Sequence, residues 1–218
     1  MQKIVLLNTL PAVFAGREED HSEVWLRNVE FERGKHYLIS AESGTGKSSL
    51  CSYIYGYRID YSGVMQFDGT DIRTLSVDQW CDVRKNHIAY LPQDLRLFPE
   101  LTAIENIQLK NRLTNFKTEK EIISYFERLG IPEKVNSPVG KLSIGQQQRV
   151  AIIRALCQPA DFILLDEPVS HLDETNNAIV AQMVTEEAAR QGAGVISTSV
   201  GNNVKISVDK ELKLRKKD

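Results

Sequence analysis

Long apolar runs are missing from this chain: none approaches the ~18 residues that a membrane-spanning helix needs. Cysteine is scarce. Cys51, Cys81 and Cys157 are odd in number and far apart. That excludes a disulfide framework or a cysteine-held metal and predicts reduced, buried thiols. Basic charge is not in excess either, since 27 Lys and Arg stand against 29 Asp and Glu. This balance argues against a generic nucleic-acid binder. There is no internal repeat and no low-complexity linker. What remains is ordinary for a globular chain: 42% hydrophobic and 26% charged among 218 residues. Such a length buries one sizeable core, with room for a small inserted subdomain. The opening MQKIVLLNTLPAVFAG loosely mimics a secretory leader. A first β-strand at IVLL, turned at Asn8 to Pro11, is the better reading. One Lys makes a thin basic region, and Asn8 and Pro11 interrupt the apolar run.

Short β-rich runs alternate with helical patterns. The strands expected are KIVLLN, EVWLRNVEF, HYLIS, GVMQFDG, HIAYLPQ, DFILLDE and GVISTSV. Several are nearly continuous apolar runs, as in strands buried on both faces of an α/β sheet. From Asp94 to Arg154 the strand signals vanish. TAIENIQLKNRL, EKEIISYFERLG and SIGQQQRVAIIRALC read as helices, with Thr102 and Ser143 as N-caps. Glu174 to Gly192 reads as a last long helix, and the charged tail LKLRKKD is expected to fray.

AESGTGKSS, residues 41–49, follows the strand HYLIS and precedes the helical run SSLCSYIYG. Strand, Gly-rich loop and helix in that order suit a phosphate-binding loop, whose backbone N–H groups and helix dipole attract an anion. Ser43, Gly44, Thr45, Gly46, Lys47, Ser48 and Ser49 form the candidate cradle. Lys47 would reach the β- and γ-phosphates, and Ser48 would hold Mg²⁺. Ala41 stands where the pattern usually has Gly, and is tolerable if its φ is negative. FILLDEP, residues 162–168, is an apolar strand ending in two carboxylates. Asp166 would bind Mg²⁺ through water, and Glu167 would polarise an attacking water.

LSIGQQQR at 142–149, continued by VAIIRAL, resembles the signature motif of ABC-type ATPases. Gln93 in AYLPQ is similar to their Q-loop glutamine, and SHLD at 170–173 to their D-loop, with Asp173 its last residue. The resemblance covers nearly the whole chain. It implies an α/β fold: a RecA-like P-loop NTPase core (1–93 and 156–218), an inserted α-helical subdomain (94–155) and an N-terminal antiparallel β portion. It also implies ATP and Mg²⁺ as ligands, with Ser48, Gln93 and Asp166 around the metal. Two copies would dimerise head to tail when ATP-bound. Ser143, Gly145 and Gln146 of one copy would then face the phosphate held by the other. Phe14, with Trp25 as the alternative, would stack on adenine. An integral membrane permease subunit would dock near Gln93 to Leu101 and hold the chain at the cytoplasmic face of the inner or plasma membrane. No nucleic acid is expected. A short single-cassette chain looks most like the lipoprotein-release, macrolide-export and cell-division group. Long coiled-coil insertions, as in repair-type members, are absent, and there is one cassette rather than two.

Three positions depart from the family pattern: Ala41, Ile144 and Ser199. Ser199 stands where the family has its switch histidine, and a hydroxyl lacks the reach and charge of imidazole. None of His21, His36, His87 and His171 lies at that strand end. His171, inside the D-loop, reads as a loop histidine; partial replacement of the switch across the dimer is the alternative. With Glu167 and Ser199 at the catalytic positions, ATP binding and dimerisation are expected and hydrolysis is expected to be slow. A transporter motor is the leading function. The alternative is an ATP-responsive regulatory or scaffold subunit that works by binding and dimerisation.

Overall fold

The structure, a computed structural model, describes residues 1–16 and 22–214. His21 and the last four tail residues lie outside the described residues. The N-terminal half contains β1 (Lys3–Pro11), β2 (Asn28–Glu32), β3 (His36–Ala41), α1 (Lys47–Ile54), β4 (Tyr61–Phe67) and β5 (Thr70–Asp71). It continues through α2 (Val77–Asp82) and β6 (Ile88–Leu91). Then come α3 (Ala103–Asn111), α4 (Glu119–Arg128), α5 (Ile144–Leu156), β7 (Phe162–Asp166), α6 (Glu174–Gln191), β8 (Gly194–Ser199) and β9 (Lys210–Leu214). One sheet is antiparallel, ordered β2-β1-β4-β5; the other is parallel, ordered β6-β7-β8-β3-β9.

The parallel sheet separates two cores. Successive side chains of a strand point to opposite faces, so Ile163 and Leu165 pack with the helices while Phe162 and Leu164 pack with α1 and the antiparallel sheet. By the same alternation, Asp166 at the end of β7 falls on the α1 side. The three middle helices begin on capping boxes, at Thr102, Thr118 and Ser143. Each box satisfies N–H groups that have no partner inside the helix. Lys117 Nζ lies 2.7 Å from Glu187 Oε2, both buried, and ties the start of α4 to α6.

Four local expectations are corrected. Asn8 to Pro11 is not a turn: β1 runs through Pro11, with a register shift between Leu7 and Leu10 where Asn8 takes a φ of 49°. Gly63 opposite makes room, since a Cβ there would lie 2.3 Å from the Asn8 carbonyl oxygen. EVWLRNVEF is not one strand. Leu26 has a φ of 56° and β2 starts only at Asn28, so Val24 and Trp25 are buried from a turn. The tail does not fray before Leu214: β9 pairs with β3 and buries Leu212 and Leu214. Finally, Cys51 and Cys157 are buried but Cys81, on α2, is exposed.

Candidate functional site

β3 delivers the chain into the loop at 42–46, and α1 carries it away. Gly44 and Gly46 have φ of 79° and 96°, the left-handed region that glycine enters without strain. Ala41 closes β3 in extended backbone and is absent from the positive-φ positions, so its methyl group costs nothing there. The loop is clamped from outside. Trp25 Nε1 donates to the Thr45 carbonyl at 2.9 Å, and Thr45 Oγ1 donates to the Glu42 carbonyl at 2.8 Å. A Cβ on Gly46 would meet Phe14 at 2.9 Å and Trp25 at 3.1 Å. Thus Trp25 is spent on holding the loop. Phe14 borders a cavity of about 330 Å³ together with Ser43, Gly44, Lys47, Ser48 and Glu167. Ser49 Oγ accepts from Arg58 at 3.2 Å.

Lys47 is the first residue of α1, only 6% exposed, with Nζ 3.4 Å from Glu167 Oε1. Glu167 leaves β7 with a φ of 51°, strained for a side chain with a Cβ. Neighbours hold that turn: its N–H reaches Thr198 Oγ1 at 3.3 Å, and its carbonyl accepts from Gln148 Nε2 at 3.1 Å. Thr198 Oγ1 also donates to Asp166 Oδ1 at 2.7 Å. Burial raises the pKa of Asp166, while the hydroxyls of Thr198 and Ser48 pull it back. Ser199 points to the other face of β8 from Thr198. Among the described residues its buried Oγ has no hydrogen-bond partner, and it does not line the cavities beside Lys47.

Thr198 and Gln148 were not singled out in the sequence. Gln148 lies within LSIGQQQR, and Thr198 lies near the end of an apolar strand, but neither pattern says what the side chain holds; only the fold shows that. Thr198→Val is expected to destabilise the protein by about 1–3 kcal/mol, because Asp166 and the Glu167 N–H lose a buried partner. Urea unfolding of the two proteins checks this.

Residues 27–170 match the family model described as ABC transporter. The chain belongs to the ABC transporter family. An uncharacterised ABC transporter ATP-binding protein of Mycobacterium tuberculosis is 32% identical over 78% of this chain, and that alignment spans only 53% of the relative's length. The lipoprotein-releasing system ATP-binding protein LolD of Shewanella denitrificans is 26% identical over 98% of this chain and 93% of its own. A bacterial ABC transporter cassette solved as a dimer superposes with a TM-score of 0.83 at 25% identity, covering 97% of this chain and 94% of that one. The α/β cassette expected from the sequence, with its antiparallel β portion and RecA-like core, is therefore the fold.

Within this ABC cassette the remaining motif residues take definite places. Ser48 Oγ donates to Gln93 Oε1 at 3.1 Å. That contact separates the first cavity from a second of about 480 Å³, which both residues line together with Asp166 and His171. The oxygens of Ser48, Gln93 and Asp166 thus converge, while Ser143, Gly145 and Gln146 lie at the start of α5, outside both cavities. Ser143 is exposed there and caps α5 by accepting from the Gln146 N–H at 3.3 Å. Gly145 packs on the D-loop: a Cβ would come within 2.9 Å of the His171 carbonyl. Asp173 caps α6, accepting from the Asn176 N–H at 2.8 Å.

No group of three or more His, Cys, Asp or Glu side chains able to cage a metal occurs among the described residues. One carboxylate beside a hydroxyl and an amide oxygen suits Mg²⁺, which takes few protein ligands and shares the rest with water and phosphate.

Proposed function

We propose that this chain is the ATP-binding and hydrolysing subunit of an ABC transporter. The observation that carries it is the meeting of Lys47 and Glu167 at 3.4 Å over a loop whose glycines turn its backbone into an anion cradle. Lys47 and the loop N–H groups bind and orient the phosphates. Ser48, Gln93 and Asp166 would hold Mg²⁺, which when bound would offset phosphate charge. Glu167 accepts a proton from water as its oxygen attacks the terminal phosphorus; the bond to the bridging oxygen breaks and ADP leaves. Phe14 bounds the cavity on the side where the base would stack.

The signature residues Ser143, Gly145 and Gln146 do not reach this chain's own cavities, which supports a site completed by a second copy. The dimeric form of the solved cassette supports the same arrangement. Helix N-termini favour anions, so Ser143 and the Gly145 N–H suit the partner's phosphate. The residues from 94 to 155 act as the helical lobe, and the rest as the core.

A third cavity, of about 340 Å³, supports membrane-subunit docking beside Gln93 to Leu101. Tyr55 and Tyr90 line it, and Tyr57, Phe98, Leu109 and Leu113 are exposed around it. Lys110, Arg96 and Arg154 make it cationic, and Asp94 is already paired with Arg96 at 3.1 Å. Such a groove suits an apolar segment bearing a carboxylate, and docking there keeps the chain at the cytoplasmic membrane face. Burial, with Arg154 and Arg84 nearby, pushes the Lys110 pKa from 10.5 down to about 8. Below that value both folded and unfolded chains carry the proton, and the burial penalty is present in full. From pH 8 to 10.5 the folded chain releases its proton first, so stability rises with pH. The gain is expected to approach ~3 kcal/mol and to vanish in Lys110→Met. Urea unfolding across that range checks it.

Ser199 favours a second reading, in which binding and dimerisation do the work and turnover is slight. Steady-state Mg-ATP turnover of wild type beside Ser199→His, with and without its membrane subunit, tests both. Brisk wild-type turnover unchanged by Ser199→His supports the motor. Near-background turnover even beside the membrane subunit, raised by Ser199→His, supports the switch.

A further inference from the structure

Among the described residues, His171 is the one histidine that lines either of the two cavities meeting at Ser48 and Gln93. It shares the second cavity with Ser48, Gln93 and Asp166, the oxygens assigned above to the metal end of the phosphates. Its position is held from behind. The His171 N–H donates to Gln148 Oε1 at 2.9 Å, and Gln148, itself buried, also holds the Glu167 carbonyl. The imidazole is oriented too: Nδ1 lies 3.0 Å from Ser170 Oγ. Ser170 Oγ lies farther, at 3.3 Å, from the Glu167 carbonyl, so its hydroxyl is free to turn to Nδ1. Nε2 has no partner among the described residues.

We propose that His171 is a catalytic residue whose Nε2 contacts the terminal phosphate of bound ATP from the side opposite Lys47. The proposal rests on the reading of these cavities as an ATP site. With Nδ1 accepting from the Ser170 hydroxyl, Nε2 carries the ring hydrogen and donates it to a phosphate oxygen. The charged groups that share its cavity are Asp94, Arg96 and Asp166. Arg96 is paired with Asp94, and Asp166 is assigned to Mg²⁺, so the phosphate is the anion left for His171. One short chain segment thereby links the strained Glu167, which handles water, to a sensor of the phosphate that the water attacks. ADP has no terminal phosphate at that place, so the contact distinguishes ATP from ADP.

Calorimetric binding of ADP and of the ATP analogue with an imido β,γ-bridge, both with Mg²⁺, tests this in wild type, His171→Ala and His171→Gln. Wild type is expected to prefer the ATP analogue. In His171→Ala that preference should fall about 10-fold while ADP affinity stays within about twofold. His171→Gln, which keeps an N–H donor, should retain part of the preference. An unchanged ratio in His171→Ala overturns the proposal, and so does an equal loss for both nucleotides, which would mark a merely structural role. A wild-type protein that binds neither nucleotide overturns the ATP-site reading along with it.

Discussion

Glu167→Gln is expected to lower Mg-ATP turnover by roughly 10²- to 10³-fold while leaving ATP affinity within a few-fold. The side chain keeps its shape, and the strained turn that aims it is held by groups the substitution does not touch. Thr198 Oγ1 still meets the backbone N–H, and Gln148 still meets the carbonyl. Only the ability to accept a proton is lost. ATP bound but not split should then accumulate the dimer, visible as a doubled mass in gel filtration with Mg-ATP. Turnover retained within a few-fold would remove Glu167 from the role of base.

Lys47→Ala is expected to act earlier in the cycle, weakening ATP binding by at least about 100-fold, or roughly 3 kcal/mol. Lys47 is only 6% exposed, and its ammonium meets a single carboxylate at 3.4 Å. Polyphosphate brings more negative charge into the same small volume, which makes this cation worth more to the nucleotide than to the empty fold. The unfolding midpoint should therefore change little without nucleotide, since Glu167 is still partly open to water. The large change should be in the stabilisation that Mg-ATP gives, which wild type shows and Lys47→Ala lacks. A thermal-shift series with increasing Mg-ATP reads it directly.

The middle helices were the most legible part of the fold. Thr102 and Ser143 announce their helices because a capping box is local chemistry, complete within four residues. β7 was equally plain, as an apolar run that ends in carboxylates. Legibility failed where tertiary packing overrules local pattern. Val24 and Trp25 look like part of a strand, yet their burial serves the phosphate loop from a turn. β9 hides Leu212 and Leu214 between charges, and an alternation of two residues is too short to outweigh them. In the site, Lys47, Ser48, Asp166 and Glu167 stood out because each sits in an ordered motif. Thr198 and Gln148 did not, although Gln148 lies within LSIGQQQR, because their work is to hold other residues and no spacing encodes it. From sequence His171 reads first as a loop histidine, with replacement of the switch across the dimer as the alternative; its value depends on which cavity the loop borders.

The strand order of the parallel sheet bears on how the protein is made. β3, which leads into the phosphate loop, has β8 and β9 as its two neighbours. Both lie more than 150 residues downstream. During synthesis the nascent strand leaves the ribosome with no partner for either edge. It stays an exposed, apolar, sticky segment until residues 194–214 have emerged. Pairings this distant in sequence form slowly and leave intermediates prone to aggregate. The nucleotide loop is thus encoded early but assembled last, so a chain stalled before β8 has the motif in its sequence and no site, and is a natural client for chaperones.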